Sequence, residues 1–316
     1  MKLVILDDET AGQDLDWSGL ITLGTARAYR HTTQEELIAR VQDAEAIFTN
    51  KVPLDRATLA LLPKLQYIGV TATGYDVIDL AAANEQGITV TNVPAYGTEA
   101  VAQQVFALIL GLTRAAELHS QDVRAGGWTE RDNWTYSIQA VVDLEGLTLG
   151  VLGYGRIGKA VARVGKAFGM KVLAYGRGPL EDSNIESPAS IEELFAQSDI
   201  VSLHCPLTPE TQQLVNSSLL SHMKPTAYLI NTSRGGLIQE HDLARALAQG
   251  RLAGAGLDVL SQEPPPADHP LLKAPHCLIT PHMAWASRRA RQRLVDTVGE
   301  NFAAYLRGEP QNVVSR

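Results

Sequence analysis

Residues 147–168 leave this chain few folds to choose from. An apolar run over 147–152 leads straight into Gly153-Tyr154-Gly155-Arg156-Ile157-Gly158, and that segment opens a helical pattern over 157–168 with its apolar residues on one face. A glycine turn set between a buried strand and a helix brings backbone N–H groups and a helix N-terminus to a pyrophosphate. Gly153 suits the tight turn, Gly155 the close approach of the ligand, and Gly158 the packing of helix on strand. A bare glycine spacing also occurs in turns that bind nothing. The strand before it and the helix after it favour a dinucleotide loop.

The rest of the chain repeats the same grammar. Short β-branched runs alternate with amphipathic stretches, as parallel strands joined by crossover helices require, and 316 residues correspond to two domains of roughly 150 each. The expected class is α/β, with two doubly wound parallel sheets. Strands of the first series are expected at 2–6, 21–26, 46–49, 66–70 and 88–91, with a capping box at Thr33 and Glu36 and a helical segment from Asp76 to Gly87. The spacing of Val101, Val105, Leu108, Ile109 and Leu112 predicts one long helix over 98–124, ended by Gly126 and Gly127. Residues 128–143 are aromatic and lack a period, which predicts an extended arm. Strands of the second series are expected at 147–152, 171–175, 199–203, 227–231, 253–259 and 277–280. Ser190 with Glu193 has capping-box spacing, a helix over 239–249 closes at Gly250, and a last helix over 285–307 closes at Gly308.

Charge narrows the partners. Lys and Arg number 27 against 35 Asp and Glu, a net charge of −8, which repels phosphate backbones and anionic membranes, so no nucleic-acid or membrane partner is expected. Two cysteines, Cys205 and Cys277, make no disulfide framework and suit a reducing compartment. The first apolar run stops at Asp7 and Asp8, and the longest, 105–112, is short of the ~18 residues that span a bilayer. A cytoplasmic protein is expected. No metal-ligand spacing stands out.

Chemistry collects at strand ends. The strand at 171–175 runs into Gly176 and Arg177, where a carboxylate for ribose hydroxyls would ordinarily stand; its absence beside a guanidinium suits a 2′-phosphate and hence NADP, with NAD as the other possibility. Arg177 as a solvated loop cation is the plainer alternative. Arg234 follows the strand at 227–231, Glu263 the strand at 253–259, and His282 the strand at 277–280, all at carboxyl edges where open α/β sheets bind ligands. Singly, these read as a surface cation, a solvated turn before three prolines, and a helix cap. Together, after a nucleotide loop, they suit 2-keto acid chemistry: Arg234 to hold a carboxylate and polarise a carbonyl, His282 to give a proton, Glu263 to favour the charged imidazole.

The motifs Gly153 to Gly158, Ser202-Leu-His-Cys-Pro-Leu-Thr-Pro-Glu-Thr211, Asn231-Thr-Ser-Arg-Gly235, and Gly256-Leu-Asp-Val259 through Glu263 to Pro281-His282 resemble the D-isomer-specific 2-hydroxyacid dehydrogenase family along nearly the whole chain. The segments 70–78 and 91–98 resemble its glyoxylate/hydroxypyruvate reductase, or glycerate dehydrogenase, branch. The resemblance implies Arg234, Glu263 and His282 as catalytic residues, Asp258 at the nicotinamide, His204, Cys205 and Pro206 on the adenine side, and Thr232 among the cofactor contacts. It implies that Thr73 and Gly74, with Arg234 and His282, bind substrate. A flavodoxin-like substrate domain over 1–98 plus 285–316 and a Rossmann cofactor domain over 99–284 are implied too. The arm with Trp128 and Trp134 resembles the branch's dimerisation segment, so a homodimer is expected, with a buried packing role for Trp134 as the alternative. Phosphoglycerate-oxidising relatives append a regulatory domain that is not seen past Arg316, and formate-oxidising relatives carry Gln where Glu263 stands. The expected activity is reversible, NADPH-preferring reduction of a small 2-keto acid such as glyoxylate or hydroxypyruvate to the D-2-hydroxy acid. The alternatives are an NAD-linked dehydrogenase of a larger substrate and a nucleotide-sensing corepressor-like interaction protein.

Overall fold

The computed structural model describes residues 1–12, 14–176, 178 and 185–315. It divides into two compact units, 1–97 with 285–316, and 98–284.

In the first unit, among the described residues, β1 (Lys2–Ile5), β2 (Thr25–Ala28), β3 (Ala46–Thr49), β4 (Tyr67–Val70) and β5 (Thr89–Thr91) form one parallel sheet in the order β2-β1-β3-β4-β5. This is the flavodoxin-like order, whose switch point lies between β1 and β3. β3 and β4 are buried along their whole length, as sheets covered on both faces demand. One face carries Val4, Leu6, Ile47, Ile68 and Val90 against Leu37, Val41 and Leu59. On the other, Phe48 and Tyr67 meet Phe302 of the C-terminal helix Arg288–Leu306, with ring centroids 5.3 and 5.0 Å apart. Gly69 makes that possible, since a Cβ there would lie 2.5 Å from the Phe48 ring.

The second unit holds β6 (Thr148–Leu152), β7 (Lys171–Tyr175), β8 (Ile200–Leu203), β9 (Tyr228–Asn231), β10 (Gly254–Leu257) and β11 (Cys277–Ile279), parallel in the order β11-β10-β9-β8-β6-β7. Alternate side chains serve opposite faces. Val201, Leu203 and Leu229 join Phe195 and Leu243, whereas Leu149, Val151, Ile200 and Ile230 join Val105, Leu108 and Ile109 of the helix Thr98–Arg114.

Several expected boundaries move. Residues 21–26 are not one strand: Ser18–Ile21 is a helical turn and β2 starts at Thr25, because a β-branched run carries the same apolar signal in either state when short. The helix expected over 98–124 breaks at Ala115, which is left-handed at φ 46°, into Thr98–Arg114 and Ala116–Arg124. Its apolar face ends at Leu112, and Leu118 and Val123 beyond the break are exposed. The Thr33–Glu36 capping box forms in full. At Ser190 only half of one forms: the serine accepts from Glu193 N–H, while the Glu193 carboxylate goes to Ala189 N–H. The last helix begins at Arg288, capped by Ser287, rather than at 285, and the helix expected from Asp76 begins at Leu80, capped by Asp79. Residues 128–143 form neither helix nor strand. Trp134 is 84% exposed, which removes the packing alternative within its own chain. Among the described residues, no single helix is long and apolar enough to cross a membrane.

Because Phe302 is fully buried among Phe48, Tyr67 and Tyr305, Phe302→Ala is expected to destabilise the protein by about 3–5 kcal/mol. A urea titration followed by far-UV circular dichroism measures this, and an unchanged midpoint would show that the C-terminal helix contributes little to the first unit.

Candidate active site

The glycine loop sits at the second unit's own switch point, between β6 and β8. Gly153, at φ 98°, donates its N–H to Tyr175 O over 2.8 Å, and a Cβ on it would lie 2.5 Å from Cys205 N and 2.6 Å from the His204 carbonyl carbon. Only glycine lets the loop nest there. Gly158 is equally confined, since a Cβ would meet Gly153 O at 2.2 Å. Gly155 differs: it caps the helix Arg156–Ala167 without a side-chain bond, and a Cβ there would meet nothing within 4 Å. The space over that helix start is therefore open, and the positive end of the dipole faces it. Tyr154 and Ile157 are half-buried against the β6 face of the core, and Arg156 is exposed.

Beside the loop lie the residues expected on the adenine side. His204 hydrogen-bonds Ser202 Oγ through Nε2 at 2.8 Å, and burial pushes its pKa down to about 3, so it stays neutral. Burial pushes the Cys205 thiol up. Cys205 O accepts from Ser233 Oγ at 3.3 Å and Pro206 O from Thr211 Oγ1 at 2.7 Å. Among the described residues Thr232 Oγ1 is buried without a partner, a polar atom of the kind that a ligand completes. An open helix start, a glycine cradle and an unpartnered hydroxyl together fit a bound dinucleotide. Gly176 is half-buried after β7, and a Cβ on it would lie 3.7 Å from Tyr154 N, an ordinary contact. Arg177 lies outside the described residues.

His282 and Glu263 meet. Glu263 Oε2 is 2.6 Å from His282 Nδ1, and Glu263 Oε1 accepts the Leu260 N–H at 3.0 Å. An ionised carboxylate only accepts, so Nδ1 carries the hydrogen and the imidazole is oriented with Nε2 away from the acid. His282 itself is left-handed, at φ 51°, a backbone state uncommon outside glycine that needs support from its surroundings. Asp258, 1% exposed, supplies it. Its carboxylate accepts from Thr280 Oγ1 at 2.5 Å, Met283 N at 3.0 Å and Ala284 N at 2.7 Å, and its carbonyl accepts from His282 N at 2.8 Å. In the structure, then, the residue expected at the nicotinamide holds the turn that presents His282.

Arg234 is exposed at the end of β9, its Nη1 donating to Ser233 O over 2.8 Å. The turn beneath it is shaped by Asn231, fully buried, which takes the Ser233 N–H on Oδ1 and gives Nδ2–H to Arg234 O. The next residue, Gly235, would place a Cβ 1.9 Å from the Leu260 carbonyl carbon. Arg234 is thereby tied through backbone contact to the loop of Glu263. Asn231 and Gln104, whose Nε2 donates to Thr280 Oγ1 at 3.1 Å, were not singled out from the sequence; Asn231 was visible as the first residue of its motif, while Gln104 carries no local signal. In the other unit Thr73 follows β4, with Oγ1 on Val93 O at 2.8 Å and its carbonyl on Asn92 Nδ2 at 2.7 Å, and Gly74 is half-buried beside it.

Comparison with known proteins agrees with this geometry. Residues 106–284 match the family model described as D-isomer specific 2-hydroxyacid dehydrogenase, NAD binding domain. A hydroxypyruvate reductase of Blautia hydrogenotrophica is 43% identical over 323 aligned positions, covering 100% of both chains. A glycerate dehydrogenase of Methylorubrum extorquens is 44% identical over 284, covering 89% of each. The crystal structure of an NADPH-dependent glyoxylate/hydroxypyruvate reductase of Sinorhizobium meliloti, in complex with NADP and malonate, superposes with a TM-score of 0.83 at 29% identity, covering 99% of this chain and 96% of that one. With its sheets, its glycine loop and relatives aligned along its full length, this chain belongs to the D-isomer specific 2-hydroxyacid dehydrogenase family.

Proposed function

We propose that this protein reduces small 2-keto acids of the glyoxylate or hydroxypyruvate kind to D-2-hydroxy acids, reversibly and with NADPH preferred over NADH. The observation that carries the reading is the 2.6 Å contact between Glu263 and His282 Nδ1, at the same carboxyl edge as the glycine loop. The names of the relatives aligned end to end support the substrate class.

Residues 153–158 with Thr232, His204, Cys205 and Pro206 would hold the dinucleotide, which when bound supplies the hydride. The protein's own groups do the rest. Arg234 presents guanidinium donors that match a substrate carboxylate and polarise the neighbouring carbonyl; Thr73 and Gly74 are carried as substrate-binding residues on the family resemblance. His282 gives the Nε2 proton to the carbonyl oxygen as it gains charge. Glu263 keeps Nδ1 protonated, so the imidazole is held in one orientation throughout. Exposed Trp128, Trp134, Ile138 and Val141 on the arm favour a homodimer, since apolar groups gathered on one segment mark an interface. The cytoplasm suits the two free cysteines.

Initial rates on a panel of keto acids with each cofactor test the activity. The expectation is turnover that favours two- and three-carbon acids, and failure of the whole panel would refute it. His282→Asn is expected to lower kcat by about 10²- to 10⁴-fold with cofactor affinity retained. In Glu263→Gln an amide replaces the carboxylate that holds Nδ1–H, so kcat for reduction is expected to fall about 10- to 100-fold with cofactor affinity retained; an unchanged kcat would count against the pairing. NADPH preference rests on the missing acid at Gly176. There a side chain has room, so Gly176→Asp should turn kcat/KM toward NADH by adding a hydroxyl acceptor and a charge that repels a 2′-phosphate. Equal efficiency with both cofactors before mutation would defeat the preference while leaving the reduction itself standing.

A further inference from the structure

A second acid–imidazole pair lies behind the first and has no part in the chemistry above. The side chains of His269 and Glu240 are 7% and 11% exposed, and His269 Nε2 lies 3.1 Å from Glu240 Oε2. Among the described residues His269 Nδ1 is buried with no hydrogen-bond partner, so the one polar contact of the imidazole there is with Glu240. Glu240 is the first residue of the helix Glu240–Ala248, where the helix dipole favours a carboxylate. Its Oε1 accepts the Ser261 N–H at 2.8 Å and its Oε2 the Ser261 hydroxyl. Both donors of Ser261 are thus spent on one acid.

Ser261 stands between Leu260 and Glu263. The N–H of Leu260 is the anchor of Glu263 Oε1, and the Leu260 carbonyl packs on Gly235. The short loop 260–263 is therefore gripped at one end by Glu240 and at the other by the contact of Glu263 with His282. A near-buried carboxylate is costly unless its oxygens are satisfied. Glu240 meets that demand through Ser261, which lies in the same short loop as Glu263.

We infer that Glu240 is a positioning residue for proton transfer: through Ser261 it fixes the loop that aims Glu263 at His282, with His269 bracing the carboxylate from the far side. The inference rests on the proposed role of His282. Loss of the grip lets the loop sample states in which Glu263 leaves Nδ1, and the imidazole then populates both tautomers. Proton delivery suffers, whereas the groups that bind keto acid and dinucleotide stay in place.

The test uses the full-length protein with NADPH. Glu240→Gln should lower kcat about 10- to 100-fold, the loss that follows when a reacting group is misplaced by about 1 Å, with the KM for keto acid and the Kd for NADPH within about twofold. The double variant Glu240→Gln/Glu263→Gln should be no slower than Glu263→Gln alone, because the first residue acts only through the second. Additive losses in that cycle, or an unchanged kcat beside a lowered Tm, would overturn the inference. Ser261→Ala, a smaller change, should shift kcat the same way and carries the same cycle if Glu240→Gln does not fold. Histidine ¹⁵N spectra, with the His282 signal assigned from His282→Asn, report the tautomer without any turnover. A single Nδ1–H tautomer should give way to a mixture in Glu240→Gln, and an unchanged spectrum would refute the positioning role. A protein inactive on every keto acid would refute the catalytic reading alone.

Discussion

Two contacts of backbone on backbone determine what the second unit can hold. At Gly153 a Cβ would lie 2.5 Å from Cys205 N, and at Gly235 another would lie 1.9 Å from the Leu260 carbonyl carbon. Neither place has room for a methyl group, so each loop reaches its neighbour only because a hydrogen stands where a side chain would be. The first contact seats the β6 loop on the end of β8 and exposes the start of the helix Arg156–Ala167. The second joins the turn of Arg234 to the loop of Glu263. Arg234 and Glu263 are separated by a strand and a helix in sequence, yet the Gly235–Leu260 contact makes their loops one body.

Carboxylates do the remaining work, in three different ways. Asp258 takes three donors from residues 280–284 and holds His282 in a left-handed backbone. Glu263 takes Nδ1 of the imidazole and one backbone N–H. Glu240 takes both donors of Ser261 from behind. Each acid is satisfied by several short bonds, which is the condition for keeping charge out of water. The proposed substrate chemistry then falls to one guanidinium and one imidazole, while the acids serve geometry.

The sheets were legible because buried parallel strands leave dense β-branched runs. The pairs 46–49 and 171–175 coincide with β3 and β7 to the residue. The misreadings share a cause. Over 21–26 a short apolar run carried no period that could separate a helical turn from a strand, and at Ala115 the polar residues that follow kept a helical rhythm after the buried face had ended. Ser190 with Glu193 shows the limit of spacing: the carboxylate found Ala189 N–H instead of the capping residue's own.

Within the candidate site, the glycine loop, Arg234, Glu263 and His282 are candidates that the sequence itself nominates, because strand ends and glycine spacing are local properties and because acid, base and guanidinium types are few. The sequence also set the parallel α/β class, since periodicity and turn chemistry act over a few residues. Only tertiary structure decided that Asp258 carries the His282 turn, that Gln104 reaches Thr280, and that Glu240 and His269 stand behind Ser261. Those pairings join residues 21, 29 and 176 positions apart, and no local propensity encodes them. They arise when strands from distant parts of the chain end at one edge and buried polar atoms must find partners among whatever lies there.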